Sequence, residues 1–133
     1  MASLLSPPYS VGQQRILGFI KGADFNSTAD QAINIGKFGS KFLVTGFIVT
    51  NASASLTLAA GGLYSAASKG GTAVVLAAQV YSALTGSAVV LQAPISTAGA
   101  SVALTVSQLF LSLTTAQGSA ATADVYVLGV DLI

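Results

Sequence analysis

Apolar residues fall in short runs broken by Gly, Pro, Ser and Asn along most of the chain. Residues 42–50 (FLVTGFIVT) carry the strongest signal. They are rich in β-branched and aromatic side chains, the run is too short for an ordinary helix, and the turn residues 51–54 (NASA) end it. Both faces of this strand are mostly apolar, which places it centrally in a sheet. Residues 15–21 (RILGFIK) form an apolar run between charges, residues 22–30 are polar turn material, and residues 31–36 (QAINIG) alternate as a short strand.

Residues 55–59 and 63–67 read as two short strands about a kink or tight turn at Gly61-Gly62. Lys69-Gly70-Gly71 predicts a further turn with Lys69 in solvent. The signal over residues 72–84 is mixed. Val74-Val75-Leu76 favours a strand, whereas Ala77, Ala78, Val80, Tyr81 and Leu84 fit a helical face, so a strand is expected to run into a helical turn or two over 78–84. Residues 89–92 predict a strand stopped by Pro94, residues 102–106 alternate, and residues 109–115 (LFLSLTT) are another strand. After a small-residue loop at 116–123, residues 124–133 close the chain as a strand. It carries Val125 and Val127 on one face and Tyr126, Leu128 and Val130 on the other.

About eight or nine short strands with turn signals every eight to twelve residues and little helix mean an all-β antiparallel sandwich or barrel. The expected architecture is a jelly-roll-like β-sandwich of about eight strands with one short helix, since double-sheet folds manage exposed edges. Residues 15–133 are expected to form that one domain. Residues 1–14 (MASLLSPPYSVGQQ) read as an extended N-terminal arm, because Pro7-Pro8 excludes a helix and favours a polyproline-like path.

Composition narrows the chemistry. Charged residues make up 7% of the 133, against roughly 25% in ordinary soluble domains, and hydrophobic residues make up 53%. His and Cys are absent, which removes the imidazole base, the thiolate nucleophile, ordinary zinc ligation and any disulfide. Five scattered cations and a net charge of +1 do not supply the phosphate contacts that nucleic-acid binding needs. The first residues lack a basic region and a long apolar stretch, so no secretory signal is expected. Residues 71–91 (GTAVVLAAQVYSALTGSAVVL) lie in a charge-free stretch. Thr72, Gln79, Ser82, Thr85, Gly86 and Ser87 interrupt them and no Lys/Arg clusters flank them, which argues against a membrane span. So few charges protect a free monomer poorly against association.

Each chemical motif has a plainer reading. Asp24, Asn26, Thr28 and Asp30 alternate as in a calcium loop, but Ala29 stands where that loop needs Gly and Ile35 where it needs a bidentate Glu. They are expected to form a polar surface turn. Asp124 and Asp131 lie on opposite faces of one strand and cannot act as a dyad, and Asp131 is expected to pair at a sheet end. Lys37 and Lys41 bracket a possible basic spot for an acidic partner or neighbouring chain, or are solvated gatekeepers. Asn26 and Asn51 match the glycosylation pattern by chance, and Tyr9, Tyr64, Tyr81 and Tyr126 do not cluster in sequence. Lys69 precedes its glycines, the reverse of a phosphate-binding loop. No catalytic, cofactor-binding or metal-binding residue is assigned, and no cofactor is expected.

Three stretches, residues 49–71 (VTNASASLTLAAGGLYSAASKGG), 72–85 (TAVVLAAQVYSALT) and 109–129 (LFLSLTTAQGSAATADVYVLG), resemble small structural proteins of tailed bacteriophages found with head genes. The resemblance implies a non-enzymatic virion component, a decoration (cement) protein on the outer capsid surface. It further implies a homo-oligomer, with a trimer favoured, whose partner is the major capsid protein, and no nucleic-acid or membrane partner. Residues 1–40 carry none of this resemblance. The alternatives are another virion part, such as a minor capsid, head-fibre base or tail subunit, a carbohydrate- or receptor-binding sandwich, and a small membrane protein spanning at residues 71–91.

Overall fold

A computed structural model describes residues 13–132. The strands, in chain order, are β1 (Arg15–Asp24), β2 (Gln31–Asn34), β3 (Lys41–Thr50), β4 (Ala60–Ala66), β5 (Gly70–Val75), β6 (Val90–Ala93), β7 (Gln108–Thr115) and β8 (Thr122–Leu132), with one five-residue helix, α1 (Thr97–Ser101), between β6 and β7. They form two four-stranded antiparallel sheets of order β1-β8-β3-β6 and β2-β7-β4-β5. Strand β1 pairs with β8, β2 with β7, β3 with β6, and β4 with β5. This nesting is a long hairpin rolled on itself, and the fold is a jelly-roll β-sandwich. Of the N-terminal arm only Gln13 and Gln14 are described; the expectation for residues 1–12 lies outside the described residues.

One core lies between the sheets. Period-two alternation builds it: β7 turns Leu109, Leu111 and Leu113 inward, β8 turns Val125 and Val127 inward, and β3 contributes Phe42, Val44, Phe47 and Val49, all essentially buried. Each such side chain contributes about 1.5–3 kcal/mol when fully withdrawn from water. Strand β3 occupies the interior position between β8 and β6, as its two apolar faces predicted.

Several local expectations are corrected. Strand β1 runs on to Asp24, and the following Phe25 is fully buried, so the polar turn is shorter than residues 22–30. Residues 55–59 are not a strand. Their backbone is tied by the buried Gln117 side chain, whose Oε1 accepts the Leu58 and Ala59 N–H groups at 2.9 and 3.1 Å. Gly61 and Gly62 are no turn either; they sit inside β4, where a Cβ on Gly61 would collide with the Leu113 backbone and one on Gly62 with the Val75 carbonyl. The glycines let three strands approach closely.

No helix forms over residues 78–84. The Gln79 carbonyl accepts the Gly61 N–H at 2.9 Å and the Tyr81 N–H donates to the Ala59 carbonyl at 3.1 Å, so these groups serve β4 instead of a helical ladder. Tyr81 and Leu84 still reach the core, and the Tyr81 ring packs edge-on to Phe25 at 5.2 Å. The helix stands instead at α1, capped by Ser96, whose Oγ accepts the Gly99 N–H at 2.9 Å. The alternating residues 102–106 make only an isolated bridge between Leu104 and Phe42. Lys69 is exposed yet not simply solvated, since its amine donates to Ser112 Oγ at 2.9 Å.

Candidate interaction surface

The β1-β8-β3-β6 sheet is apolar on both sides. Its outer face carries the row Phe19, Tyr126, Ile48 and Gln92, which lie in register across all four strands. Leu128 and Val130 on β8 continue the apolar surface beside Ile16 on β1 and Leu43 on β3. Phe19 stacks on Tyr126 with ring centroids 6.1 Å apart, and Phe19, Ile16 and Val90 keep more than half of their surface in solvent. An ordinary antiparallel sheet of a sandwich alternates apolar-in with polar-out. Here that alternation fails on one sheet.

Gly46 opens a shallow trough in this face. A register shift between Val44 and Gly46 puts Thr45 outward, and the trough runs between Leu128, Ile48, Pro94 and Ile95. Gln14 lies at its lip, its Oε1 accepting the Thr45 hydroxyl at 2.9 Å.

Two charged clasps close the ends of this sheet, Asp124 on its outer side and Asp131 on the side of Val125 and Val127. At one end Lys21 Nζ donates to the Tyr126 hydroxyl at 2.9 Å and sits 3.3 Å from Asp124 Oδ2. Asp124 also accepts the Gly22 N–H at 2.8 Å and the Asn51 amide at 3.2 Å. Burial pushes its carboxyl pKa up, but these bonds outweigh that and hold it below the ordinary value, while Tyr126 and Asp124 raise that of Lys21. At the other end Arg15 meets Asp131 through two bonds of 2.7 and 2.9 Å, the Phe38 N–H donates to the same carboxylate at 3.1 Å, and the guanidinium lies 4.4 Å from the Phe38 ring centre. The Arg15 bond holds the Asp131 pKa below the usual carboxylate range against its burial. Asp131 therefore pairs at the sheet end, as its position predicted.

The outer side of the other sheet is mixed: Ala32, Phe110, Tyr64 and Ala73 lie in register across its four strands, and polar residues flank that row. Gln108 donates to Asn34 at 2.9 Å, Lys69 to Ser112, and Thr114 to the Ala60 carbonyl at 3.2 Å. Asp30 accepts the Ser68 N–H at 2.7 Å, which lowers its pKa.

The remaining candidates are spent on the fold. Asp24 Oδ1 accepts the Asn26 N–H at 2.8 Å within its own turn, as expected, whereas Asn26 Oδ1 accepts the distant Gly118 N–H at 2.9 Å and Asp30 the distant Ser68 N–H, so these two tie the turn to other loops. Among the described residues no group of three or more His, Cys, Asp or Glu gathers to hold a metal ion. Lys37 donates to the Thr105 and Ser40 carbonyls, while Lys41 is exposed at the start of β3. Tyr64 and Tyr81 are buried, which raises their pKa values; Tyr126 is on the outer face, and Tyr9 lies outside the described residues. Residues 71–91 break across β5, a series of turns and β6, and no described helix is long and apolar enough to cross a membrane.

The outward row escaped sequence reasoning because register was unknown. Its trace was present, in the two-faced apolarity of residues 42–50 and in Tyr126, Leu128 and Val130. No family model matches the chain, and no curated protein or solved structure matches it either.

Proposed function

We propose that this chain is a non-enzymatic virion protein, a decoration protein that binds the outer surface of a phage head as a homo-oligomer, with a trimer favoured. The observation that carries the reading is the apolar sheet face left open by the described residues, on a jelly roll whose carboxylates are tied to backbone and basic neighbours. Exposed apolar area of this extent marks an interaction surface. The resemblance of residues 49–85 and 109–129 to phage structural proteins supports the choice of partner. Such a protein works by adhesion. Binding only the assembled shell stabilises it by mass action, and oligomerisation multiplies weak contacts through effective concentration.

The test is protein mass analysis of purified phage heads, with rebinding of the purified chain to heads that lack it. Many copies per head and saturable rebinding to the outer surface are expected. Recovery only with tails, or no binding to heads, overturns the reading.

A further inference from the structure

The described chain begins at Gln13, and its second residue already marks the outer face of the β1-β8-β3-β6 sheet, where Gln14 Oε1 accepts the hydroxyl of the exposed Thr45 at 2.9 Å. Gly46, next to Thr45, opens the trough whose walls are Leu128, Ile48, Pro94 and Ile95. We infer that residues 1–12 of the same chain (MASLLSPPYSVG) lie in this trough, with Val11 and Tyr9 against its apolar walls. Ile16, Phe19 and Tyr126 stand outside the trough, towards β1, so the adhesive reading above is not needed for this docking.

Three features select this occupant. Attachment is the first. The segment is tethered at the lip of the trough through Gln13 and Gln14, and a short tether holds it there at an effective concentration of order millimolar. Gly12 admits the reversal that a path over the sheet needs. Tyr9, four residues before Gln13, reaches about 13 Å at roughly 3.3 Å per extended residue. The far wall, on β6, is three strand spacings from β1, about 14 Å. The apolar row of the other sheet lies across the sandwich from Gln14 and offers the segment no such start.

Size is the second. The trough holds about 380 Å³, the small end of the range for ligand clefts and room for a few side chains. Its β6 wall comes from a strand of only four residues, too little for a whole domain, which needs about 800 Å² from each partner.

Polarity is the third. No charged residue lines the trough, and residues 1–12 carry no charged side chain. Leu4, Leu5, Tyr9 and Val11 supply apolar surface, while Pro7 and Pro8 bring no N–H to be stranded against an apolar wall. The amides of Gln14 and Gln92 border the trough and can pair with the remaining peptide groups.

Chymotrypsin digestion of the full chain, followed by mass at the Tyr9–Ser10 bond, tests this, with a synthetic peptide of residues 1–14 as the unprotected reference. Cleavage tracks the released population, so wild type is expected to be cut at least about tenfold more slowly than the peptide, at one and at tens of micromolar protein alike. Gly46→Leu fills the trough, and its Cβ would meet the Leu128 side chain at an ordinary 3.4 Å, so a folded variant cut nearly as fast as the peptide is expected. Thr45→Trp, at an exposed position, is expected to release the segment likewise and serves should Gly46→Leu not fold. Thr114→Leu, on the other sheet, is expected to keep the protection. Wild type cut less than tenfold more slowly than the peptide, protection that survives in the trough variants, or protection lost in Thr114→Leu overturns the inference. Protection that falls on dilution assigns the trough to the same segment of a neighbouring copy and overturns it too.

Discussion

The two sheets of this sandwich do the same work inside and opposite work outside. Inward, β3 and β8 of one sheet and β7 and β4 of the other supply an equally dry set of Val, Leu and Phe side chains. Outward, one sheet shows Phe19, Tyr126, Ile48 and Leu128, whereas the other flanks a shorter apolar pair, Phe110 and Tyr64, with Asn34, Gln108, Ser112 and Thr114 joined by hydrogen bonds to each other, to Lys69 and to backbone. Folding explains the inner faces of both. It does not explain why one outer face carries the longer run of exposed apolar side chains, with Ile16, Phe19 and Val90 each more than half exposed. The proposed adhesion would reside in that difference, with the other sheet as its internal control.

Neighbouring residues on β3 separate the two kinds of apolar surface most sharply. Phe47 points into the core at 1% exposure and Ile48 points out. Phe47→Ala is expected to cost about 3–5 kcal/mol in urea unfolding at any protein concentration. Ile48→Ala is expected to cost under about 1 kcal/mol in the dilute monomer, with its larger effect confined to concentrations where the chain associates. Equal costs at both positions in dilute solution would erase the distinction between core and interface.

The clasp at the end of the apolar sheet comes next. Asp131→Ala strips Arg15 and the Phe38 N–H of their shared acceptor and is expected to cost about 1.5–3 kcal/mol. Because the folded carboxyl titrates below its unfolded value, its stabilisation is complete above about pH 4 and is lost as pH falls through the depressed folded pKa. Thermal melts between pH 6 and pH 2 are expected to show a drop that is shallower in Asp131→Asn. No further pH dependence from this group is expected above pH 5.

The smallest effect belongs to the other clasp. Lys21 is exposed and its contact is screened by water, so Lys21→Met is expected to leave the denaturation midpoint of the monomer essentially unchanged. A larger loss would mean that the Lys21–Tyr126 contact supports the sheet itself and not merely its rim.

Strand positions with clean alternation were legible from residues alone. Residues 42–50, 109–115 and 124–133 each read as strands from their length, composition and bounding turns, and the eight-strand sandwich follows from the number and spacing of such runs along the chain. Illegible were the places where the backbone bonds to something distant in sequence. Residues 55–59 alternate like a strand but find Gln117 in place of a neighbouring ladder, and residues 78–84 look helical but lend their backbone to β4. Gly61-Gly62 looks like a turn because glycine's need for a close neighbour and its tolerance of a tight bend leave the same mark in sequence.

By itself, then, the order of residues determined that this protein is a β-sandwich built without His or Cys, because local periodicity and composition are properties of the chain. Only the tertiary structure decided which outward residues stand side by side. Phe19, Ile48 and Tyr126 are scattered along the chain, and they become one surface only through the nested pairing that lays β1 and β3 on either side of β8. Register is set by long-range hydrogen bonding and core packing, and no local pattern encodes it.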